Sequence, residues 1–110
     1  MKSIPRNSEF DEAFRSFVAR VQELVKSVHR NDRVVTWTEG RRYMKIISSD
    51  ADTKAKMVWG FVDKTNGAIY RAASWGWPST KHIRGYITDS AGGMGAATPY
   101  GVRYLRGGIG

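Results

Sequence analysis

Few side chains in this sequence have the type and spacing that acid–base or metal chemistry requires. The histidines are His29 and His82, and neither has a carboxylate at metal-ligand spacing. There is no cysteine, which excludes a disulfide scaffold, a thiolate metal site and a cysteine nucleophile. The same absence fits a reducing, cytoplasmic setting. Asp50 and Asp52 share a polar run, where paired carboxylates are normally solvated. Ser74 and Ser79 have no base near them in sequence. No glycine-rich stretch leads into Gly-Lys-Ser/Thr, so a P-loop is excluded. Gly92-Gly93-Met94-Gly95 could offer backbone amides to an anion, yet it reads more simply as a flexible connector. The roles that a catalytic site needs are missing. The expectation is a protein that binds rather than an enzyme, with no cofactor and no metal.

Binding has better support. The chain carries 18 Lys+Arg against 10 Asp+Glu, a formal net charge of +8. Part of that excess is local: Arg71, Lys81, Arg84, Arg103 and Arg106 face only Asp89 in the last forty residues. Such a balance favours a polyanionic partner, nucleic acid first and an anionic membrane surface second. Several aromatics stand beside cations: Tyr43 between Arg42 and Lys45, Tyr70 beside Arg71, Tyr86 two after Arg84, and Tyr104 between Arg103 and Arg106. Cations reach phosphates while aromatic faces stack on unpaired bases, a combination suited to single-stranded RNA or DNA. The same alternation also describes a half-buried strand with rings inward and charges outward. Trp75 and Trp77 sit in a Gly/Pro/Ser run, where they read as a subunit interface or an exposed patch. Trp37 and Trp59 fall within strand patterns and read as core.

The elements that must position these residues follow from periodicity. At 110 residues, 41% hydrophobic and 25% charged, the chain reads as one globular domain, too apolar to be disordered. No window is apolar enough for a transmembrane helix, and the N-terminus lacks the pattern of a secretory signal. Residues 8–30 form one amphipathic stripe through Phe10, Phe14, Phe17, Val18, Val21, Leu24, Val25 and Val28. Ser8 and Asp11 read as a capping box, and His29 and Arg30 suit the opposite helix end. Asn31-Asp32 then breaks the pattern.

Beyond that break the period falls to about two. Strand-like runs cover 34–37 and 41–47, with a loop expected at 48–55. The runs 56–62 and 68–72 flank Asp63-Lys64-Thr65-Asn66-Gly67, a hairpin signal, with Met57, Trp59 and Phe61 expected on one face. A loop at 73–80 and a short strand at 82–88 bent at Gly85 come next. Residues 91–97 read as irregular, 100–105 resume alternation, and 107–110 read as frayed. The expected architecture is mainly β with an N-terminal α-helix: helix 8–30, a small, strongly bent five-stranded barrel over 33–88, and a Gly-rich, basic extension over 89–110.

Two stretches resemble motifs of the Sm-like family. Ile83-Arg84-Gly85-Tyr86-Ile87 is similar to its second motif, and Gly60-Phe61-Val62-Asp63-Lys64-Thr65-Asn66 to its first. The order of elements is similar as well, and the resemblance spans roughly residues 8–88. It departs in two places: the Asp-to-Asn spacing is one residue shorter, and Gly67 stands where an apolar residue is usual. The resemblance implies a homo-oligomeric ring of about five to seven copies closed by strand pairing, which leaves no exposed sheet edge. It implies binding of short single-stranded RNA, with Asp63 and Asn66 as the base-contacting or loop-ordering pair and Arg84 with Gly85 as the opposite wall. Charge alone adds Lys64 as a phosphate contact. The phrase at 61–67 with Ala73-Ser74-Trp75 after it also resembles small marine-phage proteins of unassigned role, which implies a viral source and a bacterial host's cytoplasm. An adaptor module without nucleic acid is the alternative that these residues leave open.

Overall fold

The computed structural model of the chain describes residues 8–29 and 33–103. The 3.6-residue stripe becomes helix α1, Ser8–His29, with Glu9 and Asp11 in the first turn, where the helix dipole favours anions. Phe10, Phe14, Phe17, Val18, Val21 and Val25 are buried, Leu24 is partly buried and Val28 is exposed. The capping roles read for Ser8 and His29 fall on side chains outside the described set, and Arg30, Asn31 and Asp32 lie outside the described residues altogether. No helix among the described residues is long and apolar enough to cross a membrane.

Five antiparallel strands follow: β1 Arg33–Glu39, β2 Tyr43–Asp50, β3 Lys56–Asp63, β4 Ala68–Tyr70 and β5 Gly85–Tyr86, in that order across the sheet. The second strand runs three residues past the expected 47, into what read as loop. Ser48 explains this: it is buried opposite Val35, and its hydroxyl and carbonyl accept bonds from the Arg33 guanidinium at 2.8 and 3.0 Å. The remaining connection is tied by Asp50, whose Oδ1 accepts the amides of Asp52 and Thr53. Those two bonds, Thr53's first, hold the Asp50 carboxyl below its usual range.

The sheet is not closed into the expected barrel. The first and fifth strands remain its two edges. The physical reason lies in β4 and β5: at three and two residues they are too short to curl the sheet back onto β1. The chain between them leaves the sheet as a long loop over 71–84. Part of the β1 edge is occupied within the chain. The Gln22 amide donates to the Arg33 carbonyl at 3.3 Å and accepts from the Val35 amide at 2.9 Å, standing in for a neighbouring strand.

The two faces of the sheet differ. One is covered by α1 and builds the main core from Phe14, Phe17, Val21 and Val25 against Val35, Met44, Ile46, Trp59, Val62, Ile69 and Ile87. The other carries a smaller cluster of Phe61, Ala68 and Tyr70, with Tyr43, Val58 and Ala72 beside it. Trp59 and Phe61 therefore serve different faces, contrary to simple alternation. The register slips between Ile46 and Ile47, which pair with Gly60 and Val58, so Trp59 is the extra residue of a β-bulge. Trp37 also departs from expectation: at the sheet edge it is 44% exposed, with its ring edge-on to Phe14 of the core.

The C-terminal extension is partly core. A 3-10 turn, Met94–Ala96, leads into a two-stranded ladder of β6 Ala97–Thr98 and β7 Gly101–Val102, so 91–97 is more regular than expected. Ala96, Ala97 and Val102 join the main core, and the Trp59 indole donates to the Thr98 carbonyl at 3.1 Å. This docking needs glycine at the bulge. A Cβ on Gly60 would lie 2.5 Å from Val102 Cγ2. The runs read at 104–105 and 107–110 lie outside the described residues.

Candidate functional site

The register lines up Thr38, Lys45, Phe61 and Tyr70 as one row across four strands on the face that α1 leaves uncovered. Cross-strand neighbours on one face are in reach of one another. Tyr43 packs edge-on against both Phe61 and Tyr70, each with ring centroids 6.2 Å apart. Burial, then the neighbouring Asp63 and Tyr43, push the Tyr70 hydroxyl above its ordinary pKa. It stays protonated.

A cleft of about 610 Å³ opens over this row. Its floor is Tyr43, Lys45 and Phe61. One wall is the β1–β2 turn, with Gly40, Arg41 and Arg42; the other is Gly76 and Trp77 of the loop after β4. That loop is closed at its base by a bridge between Ala72 and Pro78 and by the Trp77 carbonyl, which accepts the amides of Ala73 and Ser74. Trp75 lies under the Lys45 ammonium, 4.2 Å from ring centroid to nitrogen, a cation–π contact. Trp75 and Trp77 remain 51% and 71% exposed. Three cations line the cleft, and no carboxylate does so among the described residues.

The β1–β2 turn is held by the β3–β4 turn. Asp63 is fully buried. Its Oδ1 accepts the Thr65 amide and hydroxyl at 2.8 and 2.6 Å, while Oδ2 accepts Arg42 Nε and Nη2, both at 3.1 Å. Burial alone would push the Asp63 carboxyl up; the bonds from Thr65 and Arg42 outweigh it and hold the group below the usual carboxylate range. Lys64 completes the tie: its amide donates to the Arg42 carbonyl, and its ammonium to the Gly40 carbonyl at 2.8 Å and to Glu39 at 2.7 Å. Asn66 Oδ1 accepts the Ala68 amide, and Gly67 takes the left-handed φ of +76° that closes the turn.

These bonds define what the residues singled out from sequence do in the fold. Asp63 and Asn66 order the hairpin turn, and Lys64 joins it to the neighbouring turn. Arg84 and Gly85 lie elsewhere, paired to Ile69 through the Arg84 amide, with the Arg84 guanidinium reaching the Arg103 carbonyl at 3.3 Å. Gly85 leaves room for Ala96, whose Cβ would sit 3.3 Å from a Cβ added there. The glycine run near 92 holds no open anion cradle, since Asp89 Oδ1 already accepts the amides of Ala91 and Gly93. Among the described residues no three His, Asp or Glu side chains stand close enough to hold a metal ion. Sequence reasoning did not single out Thr38 or Arg41, and it placed Phe61 on a strand face and in the first motif without a binding role. The adjacent Arg41-Arg42-Tyr43 with Lys45 was the available signal.

Fold and site together define a small open-sheet protein with one covering helix, whose uncovered face sets aromatic rings among cations. The chain belongs to a family of unknown function (DUF7717), whose model matches residues 7–98 and so takes in the whole cleft. No curated protein and no solved structure matches the chain.

Proposed function

We propose that the uncovered face binds single-stranded nucleic acid, RNA being the form to test first, and that it does so without catalysis. The observation that carries this reading is the cleft itself: Trp77 and Tyr43 stand beside Arg41, Arg42 and Lys45 with no lining carboxylate. Unpaired bases stack on such rings while the cations neutralise phosphates. Duplex bases, already stacked, offer the rings nothing. Because Asp63 engages Arg42, the phosphate contacts fall to Arg41 and Lys45.

Each phosphate neutralised on a single strand lowers the slope of log affinity against log salt by about 0.7. Two contacts give an expected slope of about −1.4, measured by fluorescence anisotropy of a short labelled strand across a salt series. A slope near zero would reject the reading.

The Sm-like likeness adds a ring of copies to this proposal. The edge strands β5 and β1, the latter beyond the Arg33–Val35 stretch that Gln22 occupies, are what closure by strand pairing would use. The exposure of Trp77 favours a second reading, an adaptor that docks a protein partner on the same patch without nucleic acid. Salt separates the two, because apolar docking holds its affinity where phosphate binding loses it.

A further inference from the structure

Resting on the nucleic-acid reading above, we infer that the cleft accepts a single strand of any sequence: it recognises the face of a base and not its edge. Reading a base edge takes side chains that present a fixed pair of donors and acceptors, such as Asn, Gln, Asp, Glu or an unencumbered Arg. The cleft has no amide and no carboxylate side chain among its lining residues. Arg42 has both Nε and Nη2 directed at Asp63, and the other two lining cations, Arg41 and Lys45, are the phosphate contacts assigned above, with Lys45 also seated over the Trp75 ring. The neutral polar groups left are the hydroxyls of Thr38 and Tyr43 and the indole N–H of Trp77, a lone donor that forms no paired contact. A hydroxyl rotates to donate or accept, so it satisfies any base edge and discriminates against none.

The apolar surfaces give the opposite result. Trp77 is 71% exposed at the cleft wall, and Tyr43 and Phe61 form a fixed floor through their edge-on contact. Every base has a ring face, so stacking tolerates sequence, and it grows with ring area. The ligand class is therefore unstructured single strand in general, with purines modestly ahead of pyrimidines. A strand without bases binds poorly.

The test compares adenine, cytosine and uracil homopolymers of equal length with an abasic strand, using the full-length chain at low salt. The three base-bearing strands should bind within about fivefold of one another, adenine first, below the discrimination that an edge-reading pair supplies. The abasic strand should bind about tenfold more weakly or worse. In Trp77→Ala the advantage of base-bearing over abasic strand should shrink, a readout that a purely structural role for Trp77 would not move. A preference above about tenfold for one base, a pyrimidine ahead of adenine, or equal binding of the abasic strand would overturn the inference while leaving nucleic-acid binding in place. Absence of binding to every strand would overturn both.

Discussion

Replacing Trp77 by Ala should weaken the binding of a short single strand by about 5- to 150-fold, the loss expected when one base loses an aromatic stacking partner. Trp77 is 71% exposed, and its backbone carbonyl, not its ring, holds the loop through the amides of Ala73 and Ser74. The ring can therefore go without cost to the fold, and thermal unfolding of the variant should match that of the parent. Trp77→Phe keeps a smaller ring face and should recover much of the loss. Anisotropy titrations of the three proteins at one low salt concentration check this. Equal affinities in the parent and Trp77→Ala would remove the cleft from the binding surface.

Asp63→Ala should be the most destabilising change in the site, by about 2–4 kcal/mol, because it removes a buried charged acceptor on which several donors converge. On a chain of this size the melting temperature should fall on the order of 10–20 °C. The donors concerned are the Thr65 amide and hydroxyl and the Arg42 guanidinium. Arg42 is more than half exposed and Thr65 is exposed as well, so both can rehydrate, and the cost is the loss of the turn bonds that converge on the buried carboxylate. Acid should reproduce part of this effect. Since the folded carboxyl is held below its ordinary value of 3.8, its contribution is complete above that pH and is lost as pH falls through the lower folded value. Asp50 is shifted in the same direction and contributes with the same sign. The comparison is therefore with Asp63→Asn, whose stability should vary less with pH below about 4 than the parent's. Parallel curves for the two proteins would contradict the assigned role of Asp63.

The parts of the fold that were legible in the sequence are those set by local chemistry. Phe10 through Val25 repeat at helical spacing, and Asp63, Asn66 and Gly67 carry their turn in their own side chains and φ angles. What was not legible depends on partners far along the chain. Alternation assumes an unbroken pleat, so it put Trp59 and Phe61 together; the bulge that separates them arises where β7 docks on Gly60. Closure of the sheet depended on how far β4 and β5 extend, and the loop over 71–84 ends β4 early. The row Thr38, Lys45, Phe61 and Tyr70 exists only through three strand registers. Lys45 and Tyr43 were visible as a basic–aromatic pair, but nothing local tied them to Trp77, more than thirty residues later.

The central claim, that single strands bind in the cleft between the β1–β2 turn and the tryptophan loop, is tested most directly by amide chemical-shift mapping. An isotope-labelled full-length chain would be titrated with a short unstructured RNA at low salt. The expected perturbations cluster at residues 38–45, at Phe61 and at residues 75–77, with the Trp75 and Trp77 indole signals among the largest. Perturbations confined to Arg84, Gly85 and Arg103, or none at saturating RNA, would contradict it.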